Sequence, residues 1–185
     1  WDINAFYFTH NGRYQVTFAN EDAKNVMYVT EVATGKAVEF PDFGGKEINS
    51  ASFSRDESMA ILNVTGSNVP RNVYSYNLET KEYHQLTDVL TEDIKADDLV
   101  SAQVIRYKSF DGLEIPAIYY QPKQAAKDAK VPALVWVHGG PGGQSTQAYQ
   151  PVIQYLVNHG YAILAVNNRG SSGYGKSFYK MDDQN

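Results

Sequence analysis

A chain of 185 residues, 43% apolar and 13% aromatic, has the composition of one ordinary globular domain or two small ones and not of a disordered segment. The formal charge of -5, with no stripe of Lys and Arg, argues against a nucleic-acid partner, which needs clustered cations to displace counterions. Zero cysteines exclude disulfides, thiolate metal sites and a thiol nucleophile, while no run approaches the ~18 apolar residues of a membrane span. Cytoplasmic, periplasmic and secreted locations all stay open, and a start at Trp1 without a signal-peptide pattern implies that residues precede it.

Residues 1–95 read as short strands separated by turn signals, without 3.6-residue periodicity. Ile3-Asn4 and Phe8-Thr9-His10-Asn11 match Ile48-Asn49 and Phe53-Ser54-Arg55-Asp56 at an offset of 45, and the stretch from Arg13 to Ala19 matches that from Ser58 to Val64. Tyr28-x-x-x-Val32-x-Thr34 then matches Tyr74-x-x-x-Leu78-x-Thr80 at an offset of 46. Such a period, with four short strands per unit, predicts two blades of a β-propeller, which two blades alone cannot close. A β-sandwich with similar hairpins is the alternative. The acidic stretch from Thr87 to Leu99 reads as a solvated linker.

From residue 96 to residue 185 the pattern changes. Val100 to Lys108 and Leu113 to Gln121 flank Asp111-Gly112, a hairpin signal because both residues tolerate positive φ. Ala133 to Val137 is a short apolar run of the kind buried on both faces of a parallel sheet. A glycine-rich loop follows, then a helix from Pro151 to His159 with Val152, Tyr155, Leu156 and His159 at helical spacing and Gly160 past its end. Tyr161 to Val166 is a second buried-type strand, leading into the glycine-rich loop from Asn167 to Gly175. Strand, loop, helix, strand is a βαβ crossover and implies a parallel pair.

The loop His138-Gly139-Gly140-Pro141-Gly142-Gly143-Gln144-Ser145 fits neither common phosphate motif. A P-loop would need a lysine where Gln144 stands and a glycine where His138 stands, and a dinucleotide fingerprint would need its last glycine at Ser145. A His-Gly-Gly segment after a buried strand instead suits an oxyanion hole, in which a backbone N–H stabilises the charge formed when a serine attacks a carbonyl. A purely structural glycine turn is the other reading. No cofactor motif is present.

The run V-W-V-H-G-G-P-G-G-Q, the later N-N-R-G-S-S-G-Y-G-K-S-F, the hairpin R-Y-K-S-F-D-G-L-E-I-P-A and the β-repeat ahead of them together resemble the prolyl oligopeptidase family of serine peptidases. That resemblance implies β-propeller blades (all-β) over residues 1–95, followed by the N-terminal part of an α/β-hydrolase domain over residues 96–185. It also implies cleavage of short peptides by a Ser-Asp-His triad, with the propeller excluding folded proteins. Gly140 stands where acylaminoacyl-peptidase-like members place the oxyanion-hole donor. In prolyl oligopeptidase and the dipeptidyl peptidases a tyrosine hydroxyl does that work, at the place where this chain has His138. The His138 ring either donates or buttresses the turn, Gly139 is the third candidate, and Arg169 matches a structural position of the family.

The α/β-hydrolase nucleophile sits in G-x-S-x-G, and no such frame occurs in the chain. The resemblance places the triad beyond Asn185, so the chain by itself is expected to be inactive. A parallel sheet cut short also leaves Ala133 to Val137 as an exposed edge open to self-association. A non-catalytic propeller and hydrolase-like binding module, and an esterase using the same His-Gly-Gly device, are the competing functions. His10, His84 and His159 carry no predicted role.

Overall fold

The computed structural model describes residues 1–140 and 142–183; Pro141, inside the glycine-rich loop, lies outside them, as do Gln184 and Asn185. Three sheets make up the molecule. The first is an antiparallel meander of β1 (Asp2–Phe8), β2 (Tyr14–Glu21) and β3 (Lys24–Glu31). The second is a meander of β4 (Glu47–Phe53), β5 (Met59–Gly66), β6 (Val69–Asn77) and β7 (Tyr83–Gln85). The third contains β8 (Gln103–Lys108), β9 (Glu114–Tyr120), β10 (Ala133–Val137) and β11 (Ala162–Val166) in the order β10-β11-β9-β8.

The sequence repeat is a repeat of register. Ile3 pairs with Ala19 and Ile48 with Val64, and the first strand of each unit is bulged at the next step, between Ile3 and Ala5 and between Ile48 and Ser50. A bulge at the same place in both units adds the same local twist to each. The β1–β2 turn donates Gly12 N–H to Thr9 O, and its equivalent donates Glu57 N–H to Ser54 O. Both turn residues have positive φ, 73° at Gly12 and 61° at Glu57. Glycine holds that conformation without steric cost; Glu57 sends its buried carboxylate to the Asn11 N–H, 2.5 Å away in the other blade.

The two sheets stack through unlike faces. Val16, Phe18 and Val29 of the first meet Ala60, Leu62 and Tyr74 of the second in one apolar cluster, with Tyr7 donating its hydroxyl to Ala51 O at 2.7 Å. A shift of 45 residues carries Val16 to Ile61, which is on the far side of the second sheet. The stacking is therefore successive, blade upon blade, as propellers require, and not the face-to-face pairing of a sandwich. The first blade departs from four strands: its fourth is reduced to the bridge Thr30↔Ala37. Beyond it the chain turns into the gap between blades, where Phe40 packs on Tyr76 and Phe53 and Phe43 packs on Tyr74. Pro41, lacking an N–H, could not have continued the ladder.

In the third sheet β10 and β11 run parallel, joined through the helix α1 (Pro151–Asn158), while β9 is antiparallel to both its neighbours. The helix buries Ile153, Gln154 and Val157, and leaves Val152 and Tyr155 exposed. The apolar stripe expected from the sequence was thus one residue out of phase. Gln154 explains why: its side chain is buried, donating to Ser67 O and Val100 O at 2.8 Å and accepting from Val100 N–H at 3.0 Å. The expectation that Ala133 to Val137 would be covered on both faces also fails among the described residues. All five are exposed, Val135 and Val137 each at 67%, because β10 is the edge strand. A short helix α2 (Gly175–Tyr179) follows the second glycine loop, where the sequence suggested none.

Candidate functional site

The site lies at the carboxyl end of β10, where the two glycine loops meet. His138 leaves the strand with its ring turned inward. Nε2 is 2.8 Å from Ser171 Oγ and Nδ1 is 2.9 Å from Gly139 O. Ser171 is fully buried and its hydroxyl donates to Asn168 O at 2.6 Å, so the ring of His138 is held between the serine oxygen and Gly139 O. Both ring nitrogens face atoms of the fold.

The glycines differ in what they permit. A Cβ on Gly143 would stand 2.2 Å from Gly139 O and 2.9 Å from His138 Nδ1, and one on Gly140 would stand 2.8 Å from Gly142 N. Gly142, at φ +82°, presses against the Tyr179 ring. A Cβ on Gly139 would meet nothing within 4 Å. Among the described residues, the N–H groups of Gly139 and Gly140 have no acceptor. Two free donors thus follow one another at a strand end, with open space beside Gly139, and such donors are the chemistry that an anionic oxygen requires.

Asn167, fully buried at the end of β11, joins the loops. It accepts from Ser145 N–H at 2.7 Å and donates to Ser145 O at 3.0 Å and to the Tyr174 hydroxyl at 2.9 Å. Burial pushes the Tyr174 hydroxyl above its ordinary pKa, with the Asn167 hydrogen bond acting against it. Arg169 points away from the glycine loop, to the β8–β9 turn: it donates to Ser109 Oγ at 3.1 Å, pairs with Asp111 at 2.5 Å and lies over the Phe110 ring. The Leu113 N–H first, and the Arg169 guanidinium second, hold the Asp111 carboxyl below its usual range.

The first blade grips the same loops. Gly173 N–H donates to Asp2 at 2.8 Å, Asn20 donates to Gln144 at 2.6 Å, and Gln147 N–H donates to Ala23 O at 2.9 Å. A cavity of about 420 Å³ opens where both blades meet Thr146 and Ala148, and a smaller one of about 200 Å³ lies among Trp136, His138, Ser145 and Ile153. Among the described residues no group of three His, Cys, Asp or Glu side chains could hold a metal ion, and no helix is long and apolar enough to cross a membrane. The structure brings His138, Gly139 and Gly140 together. Asn167, Ser171 and Gln144 were missed as partners of the site, although the first two lie in the run N-N-R-G-S-S and the third closes V-W-V-H-G-G-P-G-G-Q.

Comparison with known proteins supplies the context. A family model described as acetyl xylan esterase matches residues 72–185. The uncharacterized peptidase YuxL of Bacillus subtilis (strain 168) is 33% identical over 131 residues, covering 71% of this chain and 20% of the relative. Dipeptidyl aminopeptidase BIII of Pseudoxanthomonas mexicana is 51% identical over 51 residues, 28% of this chain and 7% of the relative. The solved Pyrococcus horikoshii acylaminoacyl peptidase superposes with a TM-score of 0.71 at 26% identity, over 96% of this chain and 27% of that one. The chain therefore spans about a fifth of the length of the first of these relatives. The esterase model covers the hydrolase-like part and the last strands of the second blade, whereas the structural match to a peptidase extends over 96% of the chain and so through both blades. With its bladed repeat, its parallel β10–β11 crossover and its His-Gly-Gly loop, the chain belongs to the prolyl oligopeptidase family of serine peptidases, within the α/β-hydrolase fold.

Proposed function

We propose that these 185 residues form part of a serine peptidase that hydrolyses short peptides, and that they supply its oxyanion hole without its nucleophile. The observation that carries this reading is the pair of N–H donors at Gly139 and Gly140, unpartnered among the described residues, with space beside Gly139 into which a Cβ would project freely. Gly140 is the principal donor, and His138 fixes the loop through Gly139 O and Ser171 without touching substrate. Ser171 is the one serine whose hydroxyl meets a histidine ring among the described residues, and it is no nucleophile: it is buried and its hydroxyl donates to Asn168 O. The attacking serine, its aspartate and its histidine come from polypeptide outside residues 1–185. The blades filter substrate by size, and the 420 Å³ cavity beside Thr146 lies between them and the loop.

The test has two arms. The isolated 185-residue chain exposed to a fluorophosphonate probe gives no stoichiometric label; labelling would overturn the assignment of an incomplete site. The longer polypeptide that carries this chain together with G-x-S-x-G turns over short peptides in preference to acetyl esters. Ester turnover alone would favour the second reading, an esterase, which the acetyl xylan esterase match supports. Neither activity would leave a non-catalytic binding module.

A further inference from the structure

The pair Ile-Asn recurs at the head of both blades, and its asparagine falls at the bulge each time. Asn4 and Asn49 are the residues left without a ladder partner, between Ile3 and Ala5 and between Ile48 and Ser50. A bulge re-aims the side chain of its extra residue. Both side chains line the cavity of about 420 Å³, together with Asn20 and Asn25. Asn4 donates from Nδ2 to Asn25 Oδ1 at 3.1 Å, and Asn25 donates from its own Nδ2 to Asn49 O at 3.2 Å. The Glu47 carboxylate fixes Asn25 in turn by accepting its backbone N–H at 2.7 Å. A run of amides thus crosses from the first blade to the second. Much of its hydrogen-bonding capacity is unspent: among the described residues the Asn49 side chain and Asn4 Oδ1 have no partner. Asn20, 9% exposed, gives Nδ2 to Gln144 while its Oδ1 is buried without one.

We propose that Asn4 and Asn49, with Asn20 and Asn25, form a subsite that binds the main chain of an extended peptide through amide-to-amide hydrogen bonds, irrespective of its side chains and termini. An asparagine side chain sets one carbonyl beside one NH2, the same acceptor and donor that a peptide unit presents. A neutral wall of such groups complements successive peptide units better than it does an anion or a hydrocarbon. Lys24, the cation of the lining, is committed to Gly45 O at 2.8 Å. Thr146 and Ala148 complete the wall and continue the loop that carries Gly140, so a peptide seated here extends towards the candidate oxyanion hole. The cavity lies between two blades and a loop that this chain itself supplies, so polypeptide stacked on the far faces of the blades leaves it in place. Its volume falls within the ~300–1,000 Å³ of ligand sites. A folded protein, whose main-chain groups are already paired, has nothing to offer such a wall. The proposal rests on the peptidase reading for the peptide's role as substrate, and on the cavity alone for its binding.

Binding is tested without catalysis, by NMR titration of the nitrogen-15-labelled 185-residue chain with an alanine tetrapeptide acetylated at one end and amidated at the other. The side-chain NH2 signals of Asn25 and Asn49 are expected to shift. Asn49→Ala, which removes no hydrogen bond of the fold, is expected to raise Kd ~2–12-fold, the worth of one hydrogen bond. Asn4→Ala is the second variant should the first lose the wild-type spectrum. The same peptide methylated at its amide nitrogens is expected to bind more weakly to the wild type, an arm that needs no variant. In the longer peptidase Asn49→Ala raises KM for hexapeptides and leaves KM for a dipeptide amide, and kcat for both, unchanged. Absence of peptide binding overturns the proposal, as do equal affinities for the methylated and unmethylated peptides or an unaltered Kd in the folded variants. Binding of xylotriose in place of the peptide overturns it in favour of a carbohydrate site. Should the longer polypeptide lack peptidase activity while the titration succeeds, the catalytic reading fails and the main-chain subsite stands.

Discussion

Replacing Ser171 by alanine tests how the glycine loops are held. The hydroxyl lies 2.8 Å from His138 Nε2 and donates to Asn168 O at 2.6 Å, so the substitution removes two hydrogen bonds. A net contribution of ~0.5–1.5 kcal/mol each would give ~1–3 kcal/mol. Both stranded partners have some relief: Asn168 O keeps the Ser171 N–H at 3.0 Å, and His138 is only half-buried and reaches water. The expected loss is therefore at the lower end, ~1–2 kcal/mol. Urea unfolding followed by Trp fluorescence measures it, Trp136 being two residues from His138. His138→Ala alone and the double variant complete a cycle whose coupling is expected near ~0.5–1.5 kcal/mol. A Ser171→Ala variant within ~0.5 kcal/mol of wild type, or a coupling of zero, would refute the claim that this pair braces the loop.

Gly139 and Gly143 should separate function from folding. Gly143→Ala forces a Cβ to within 2.2 Å of Gly139 O and lowers the thermal midpoint, whereas Gly139→Ala meets nothing and leaves it unchanged; in the longer peptidase Gly139→Ala lowers kcat more than it raises KM. Leu62→Ala, at a side chain with no exposure between the blades, is expected to cost ~2–5 kcal/mol by urea titration. Burial first raises the Glu47 carboxyl above its ordinary value, while the Asn25 N–H and Lys24 lower it. A raised folded pKa means that the favourable contribution is complete below the ordinary carboxylate range and is lost as pH rises through the folded value. Glu47→Gln should therefore stabilise the chain at neutral pH and give no gain at acidic pH; equal effects at both would reject the linkage.

The blades were legible because a repeat is self-evidence: the offset that aligned Ile3 with Ile48 also aligned strands, turns and bulges. The crossover was legible because Pro151 and Gly160 bracket α1. The helix face was not, since a polar Gln154 is buried by partners at Ser67 and Val100 that no local pattern reveals. The thinning of the first blade's last strand was equally hidden, although Pro41 was a signal for it. At the site, His-Gly-Gly was readable as a backbone device. What holds it was not, because Ser171 is 33 positions from His138 and Asn167 is 22 positions from Ser145.

The hydrogen bond from Gly173 N–H to Asp2 spans 171 positions and the one from Asn20 to Gln144 spans 124. Contacts that distant are entropically slow to close, and their formation is deferred until most of the intervening chain is ordered. During synthesis the first blade leaves the ribosome well before either glycine loop exists. Its end must therefore wait, with Asp2 and Asn20 solvated, and the His-Gly-Gly loop acquires its final contacts with the blade only when residues this far apart come together. The loop is thereby shaped by contacts that form after the blade itself.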